Sequence, residues 1–341
     1  MKWSILASAL AIGLTALCNP AGAAEVTLYT TREPGLIRPL LDAWTASTGT
    51  KVNTVFLQGG LAERVQSEGA RSPADLMIVV DAATLLDLAR RDLTQPIRSE
   101  ALDSAIPAKF RDPSGHWFGL SLRARVIFVS KDRVPATENP TYEDLANERW
   151  KGRVCIRGGQ HPYNTALFSA MLAKHGEAKL EAWLTGLKSN LARRPAGGDR
   201  DVAKDILAGQ CDVGVANIYY FGLMMSGAGG PEQKKWVEAV RVVFPAFSDK
   251  IGTHTNISGA AVAKHAPNRD GAVRMLEFLV TPDAQRMLAE GNFEAPVRLG
   301  VPAHPIIAAL GPLRPDSVTP AQIADGRQAA SLAVDRVHFD Q

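Results

Sequence analysis

Long hydrophobic runs are almost missing from this chain, and so is any strong excess of charge. The formal net charge is +3 over 341 residues, with acidic and basic residues interspersed. That excludes the basic stripe of a nucleic-acid binder. Familiar catalytic signatures are absent as well: no G-x-x-x-x-G-K phosphate loop, no G-x-S-x-G elbow, no H-E-x-x-H and no C-x-x-C. No repeat, low-complexity tract or long linker interrupts the chain. Cysteine is scarce at three residues, and tyrosine is limited to five.

The one apolar run lies at the start. Lys2 is followed by small and apolar residues from Ser4 to Leu17, and Ala21-Gly22-Ala23 closes the segment. This is the layout of a cleavable secretory leader over residues 1–23, and about fourteen residues are too few to span a bilayer. Cys18 follows the bulky Leu17, unlike a lipoprotein cleavage site, so it is expected to leave with the leader. The expected mature protein is a soluble monomer of the periplasm, long enough for two domains. Cys155 and Cys211 remain, an even pair in an oxidising compartment, which reads as a disulfide; two buried free thiols are the alternative.

Strands and helices alternate through residues 25–91, as in a mostly parallel sheet, and a second such series spans residues 153–217. The β-rich segments 123–130 and 240–245 flank the second series and read as two strands crossing a hinge. The expected fold is therefore α/β, a two-lobed clamshell. Residues 24–122 and 247–299 form a discontinuous first lobe, 123–246 the second, and 300–341 a helical segment packed across both. Such lobes close on a ligand by hinge motion.

The tyrosines carry the functional signal. Tyr219 and Tyr220 follow the strand at 213–217, on an expected loop, and Tyr163 precedes a helix after the strand at 153–156. Ligands of open α/β sheets gather at such carboxyl strand ends. Three phenols, each with a pKa of about 10, lose their protons at neutral pH only to a strong cation. Ferric iron, hard and triply charged, suits three phenolates, whereas softer divalent metals favour His or Cys. The alternative is that these tyrosines are ordinary packing aromatics. Arg32, at the end of the first strand, and Arg123, at the start of a hinge strand, would suit an anion beside the phenolates. Arg125 is a weaker candidate, and interlobe ion pairs are the alternative role for all three.

The segments LYTTREP (28–34), SPADLMIVVD (72–81), WFGLSLRARVIFVSKDRV (117–134), YNTALFSAML (163–172), GGDRD (197–201), ANIYYFG (216–222) and GTHTNISG (252–259) resemble the periplasmic ferric-binding proteins of bacterial ABC iron importers. The likeness runs in order along nearly the whole mature chain. It implies the type II periplasmic receptor fold, a non-enzymatic role, and delivery of Fe3+ to the permease and ATPase of an inner-membrane transporter. It assigns the metal to Tyr163, Tyr219 and Tyr220, and a synergistic carbonate or bicarbonate to Arg32 and Arg123. Where other branches place a first-lobe histidine or tyrosine, this chain has Glu33 and Pro34, and Gln58 stands near the place of an acidic ligand. The first lobe is then expected to contribute no protein ligand. His161 and His254 are expected to make loop hydrogen bonds. An organic cation or oxyanion as cargo, or a secreted enzyme using the cleft, are the competing readings.

Overall fold

The computed structural model describes residues 25–341; the expected leader, residues 1–23, lies outside the described residues. The chain opens with β1 (Val26–Thr30), α1 (Pro34–Thr48), β2 (Val52–Phe56), α2 (Leu61–Glu68), β3 (Leu76–Val79), α3 (Ala82–Arg90) and α4 (Glu100–Ala105). β1 pairs in parallel with β2 and β3. Next come β4 (Phe118–Ser130), β5 (Val154–Cys155), α5 (Pro162–His175), α6 (Glu177–Ser189), α7 (Asp199–Leu207), β6 (Val213–Asn217), α8 (Ile218–Met225), α9 (Pro231–Glu238) and β7 (Val240–Val243). The chain ends with β8 (Thr255–Val262), α10 (Arg269–Leu279), α11 (Pro282–Asn292), β9 (Ala295–Pro296), α12 (Pro305–Ala308) and α13 (Pro320–Arg336). Proline, unable to donate a backbone hydrogen bond, stands in the first turn of α1, α5, α9, α11, α12 and α13.

The strands follow the order β2-β1-β3-β8-β4-β6-β5, with β7 and β9 also paired to β4. β4 belongs to both sheets. Phe118–Ala124 lies antiparallel to β8, and Arg125–Val129 lies antiparallel to β6. All thirteen residues of β4 are buried, which the sequence FGLSLRARVIFVS supports by apolar residues on both faces. The strand begins five residues before the expected 123 because Phe118–Leu122 already pairs with β8. β7 pairs with Ile127–Ser130 alone, and residues 244–254 then carry the chain back to β8.

Side chains of β4 and β6 alternate between two layers of core. Ile127, Val129, Val213 and Val215 pack with Phe168 and Trp183 on one side. Val126, Phe128 and Ala216 pack with Ile206, Phe221 and Met224 on the other. A separate cluster joins Leu28, Met77 and Ile78 of the first sheet to Leu40, Trp44 and Leu276. Each such side chain contributes about 1.5–3 kcal/mol by leaving water, so the sheets are anchored independently on either side of the seam. Arg123 and Arg125 flank Ala124 at that seam. α13 packs against both α3 and α5, tying the two halves together.

Candidate metal and anion site

β5 and β6 are parallel neighbours; β6 runs directly into α8 at its carboxyl end, and residues 156–161 lead from β5 to α5. Tyr163 occupies the first turn of α5, whose start is fixed by Pro162 and by the His161 imidazole accepting from the Tyr163 amide at 3.2 Å. Tyr219 and Tyr220 occupy the first turn of α8, which follows Asn217 with no intervening loop. The loop expected there does not form, because IYYFGLMM continues from the strand as a helix. Two helix N-termini therefore sit beside the phenols, where their partial positive charge favours an anionic oxygen.

The hydroxyls of Tyr163 and Tyr219 are 3.1 Å apart, and the rings of Tyr219 and Tyr220 stack at 4.1 Å. Together with Arg32, Arg123 and Glu294 they line a cavity of about 110 Å³ built from both halves of the chain. Tyr163 also lines a larger cleft of about 860 Å³, reached by Glu33, Gln58, Asp81 and His161. Guanidinium groups crowd the rings: Arg123 and Arg157 lie 5.2 and 5.1 Å from the Tyr163 centroid, and Arg200 lies 5.3 Å from that of Tyr220. Burial pushes the Tyr219 phenol well above its ordinary range, with Tyr163 and Tyr220 adding to the effect. Burial likewise pushes Tyr220 up to about 12. Without a cation these hydroxyls keep their protons.

The two arginines differ in their commitments. Arg32 gives Nη1 and Nη2 to the Glu294 carboxylate at 3.1 and 2.9 Å, and Nη2 also reaches Ser258 at 2.8 Å. Only its Nε is left buried without a partner. Arg123 is buried too, yet both its Nε and Nη2 lack any hydrogen-bond partner. Unpaired donors of this kind are costly to bury, so this position is prepared for an acceptor. Among the described residues, no group of three or more His, Cys, Asp or Glu could hold a metal ion.

Residues 71–308 match the family described as bacterial extracellular solute-binding protein. The chain belongs to this family. As a bacterial extracellular solute-binding protein it is not an enzyme. It is 41% identical to "Iron uptake protein A1" of Synechocystis sp., over 88% of this chain and 83% of that one. Among solved structures, the Bordetella ferric binding protein is 53% identical, with a TM-score of 0.87 covering 93% of this chain and 100% of the other. A Trichodesmium protein solved with iron and citrate ligands is 39% identical, with a TM-score of 0.87 and coverage of 93% and 100%. These likenesses give the solute-binding protein its two-lobed type II periplasmic fold.

Other residues singled out in the sequence fall in distinct places. Cys155 and Cys211 form a disulfide with Cα atoms 5.8 Å apart, joining β5 to the turn before β6. Arg125 is buried in an ion pair with Asp199 and donates to Asn164 at 2.6 Å. Glu33 is exposed ahead of α1 and borders both cavities, while exposed Gln58 borders the larger cleft alone. Tyr29 and Tyr142 stay outside both cavities: Tyr29 donates to Glu68, and Tyr142 donates to the Arg125 carbonyl. His161 meets its expectation as a cap, and burial with Arg157 nearby lowers its pKa to about 4, leaving a neutral ring. His254 does not meet its own: both ring nitrogens are buried without a hydrogen-bond partner, since Asp316 stops 3.6 Å away.

Sequence reasoning missed Glu294 and Asp199. Burial pushes the Glu294 carboxyl up, but Arg32 and Arg123 outweigh it and hold the group below its ordinary range. Its only sequence signal was an acid isolated in the apolar run NFEAP. Asp199 accepts from the Asn217 amide at 2.8 Å and pairs with Arg125, so it ties the start of α8 to β4. Its segment GGDRD carries the family resemblance with no role attached to the aspartate.

Proposed function

We propose that this chain is the substrate-binding component of an ABC iron importer, exported to the periplasm as a monomer. It captures ferric iron through the phenolates of Tyr163, Tyr219 and Tyr220 and delivers it to the inner-membrane permease and its ATPase. The observation that carries this reading is the convergence of three phenols on one cavity beside an unpartnered buried guanidinium. Three phenolates match the charge of Fe3+, and the cation displaces three protons as it binds. Carbonate or bicarbonate would be held chiefly by Arg123, with Arg32 offering Nε, because the Arg32 fork is already filled by Glu294. The relatives named for iron and ferric binding support the metal, and the seam at β4 supplies a hinge for closure over it.

The unpartnered Arg123 also favours a second reading, in which the cargo is an oxyanion without metal, held on the same fork. A ferric titration followed by visible absorbance separates the two, because iron–phenolate charge transfer gives colour that an oxyanion complex lacks. Tyr-to-Phe changes at 163, 219 and 220 should each weaken binding and shift or abolish the band. The same change at Tyr29 or Tyr142 should leave the band in place. An unchanged band in any of the first three removes that residue from the site.

A further inference from the structure

Glu294 is placed with unusual care for a residue outside every recognised motif. α11 ends at Asn292, and Phe293 then takes the left-handed conformation at φ 57°. β9 pairs with Ser121 and Leu122 of β4, which fixes Glu294 against the seam, 3% exposed. Its carboxylate accepts from both Nη atoms of Arg32 and from the hydroxyls of Ser121 and Ser258. Both Nη atoms of Arg32 are thus engaged within the chain, leaving only its Nε, while Arg123 faces the same cavity with Nε and Nη2 unfilled.

We propose that Glu294 determines which anions the site accepts, by cancelling one of its two buried guanidinium charges and favouring a monoanion over a dianion. The metal-loaded form of this argument rests on the ferric reading above. Three phenolates offset Fe3+, Glu294 offsets Arg32, half-buried Arg200 and exposed Glu33 on the same lining offset each other, and Arg123 leaves one buried positive charge. Bicarbonate closes that balance. A dianion such as oxalate leaves one uncompensated negative charge in a buried cavity, which is costly. Removing the carboxylate charge loosens the hold on the Arg32 fork, and its donors then suit a second carboxylate on the ligand beside Arg123. Without metal the same one-charge difference operates between Arg32, Arg123 and Glu294.

The test uses the mature chain with Glu294→Gln, which keeps the shape and removes the charge. Metal-free protein is titrated calorimetrically with bicarbonate and with oxalate, and the titrations are repeated in the visible with ferric nitrilotriacetate as the iron source. Both anions should bind the variant more tightly, and the oxalate-to-bicarbonate affinity ratio should rise about tenfold, since the extra charge acts twice on a dianion. The double variant Arg32→Gln with Glu294→Gln removes the pair together, restores the single charge, and should keep the wild-type ratio. It also avoids burying an unpaired arginine, so it tests the idea even if the single variant folds poorly. Asp87→Asn, a change of equal charge at the rim of the larger cleft, should leave the ratio unchanged. A folded Glu294→Gln chain with the wild-type ratio, or a double variant shifted in favour of oxalate, overturns the proposal. A wild-type chain with no ferric band defeats the iron reading, while the metal-free ratios still uphold or overturn the role of Glu294.

Discussion

Replacing Asp199 with Asn isolates the charge that holds the tyrosine-bearing helices in register. Asp199 is fully buried and pairs with Arg125, itself 1% exposed. It also accepts the Asn217 amide at 2.8 Å, and Arg125 donates to Asn164 at 2.6 Å. The pair thereby links the first turn of α8, the first turn of α5 and the seam of β4. Asn keeps the shape and an acceptor for Asn217 but strands the arginine charge, and breaking a buried pair in this way costs about 3–5 kcal/mol. Against a total stability of about 5–15 kcal/mol the variant should still fold. Its thermal midpoint should drop by about 5–10 °C in the metal-free protein. Adding Arg125→Met should recover part of the loss, because only the partly exposed Arg157, which reaches the other Asp199 oxygen at 3.4 Å, then remains unpaired. Glu232→Gln, which opens the exposed Lys235 pair on α9, should change nothing measurable. Ferric affinity of the Asp199 variant should fall along with its stability. A loss below about 1 kcal/mol by thermal or urea unfolding would refute the claim that this pair is an unscreened buried one.

Three further outcomes are expected. The unreduced mature chain should be two hydrogens lighter by mass, and reducing Cys155–Cys211, separated by 56 positions, should cost about 4 kcal/mol; two alkylatable thiols under native conditions would contradict it. Gly222→Ala places a Cβ 2.5 Å from the Phe293 ring, so α8 or Phe293 must shift. Overpacking of that kind costs about 1–3 kcal/mol, and ferric affinity should fall because Tyr219 and Tyr220 ride on α8; no change in either would show that the contact relaxes freely. The third outcome concerns acid. With its folded pKa held below the ordinary 4.5, Glu294 contributes stability that is present above that value and lost as pH falls through the depressed one. Acid unfolding monitored below pH 4.5 should therefore be shallower in Glu294→Gln, and an identical acid limb would remove the ion pair from the stability balance.

Much of the molecule was legible in residue order. The alternating strands and helices of residues 25–91 appeared because apolar periodicity is a local property, and β1, α1, β2, α2, β3 and α3 follow it. Cys155 and Cys211 could be paired because only two cysteines follow the leader. The cavity-lining phenols could be listed because they follow strand ends, where open sheets collect ligands. Adjacent aromatics after β6 were harder: a strand that becomes a helix within one residue has no turn signal between the two periods.

What the order of residues could not determine was how charges are shared out. Arg32 and Arg123 look alike in sequence, one at the end of an expected strand and the other at the start of one. Only the fold brings Glu294 across 262 positions to fill the fork of one and leave the other unpaired. Asp199 likewise acquires its role from Arg125, 74 positions away, and from an amide of β6. Periodicity and strand ends are written within a few neighbouring residues. The partner of a buried charge is set by distance in three dimensions, and at low dielectric that distance decides whether a guanidinium is spent on the protein or kept for a ligand.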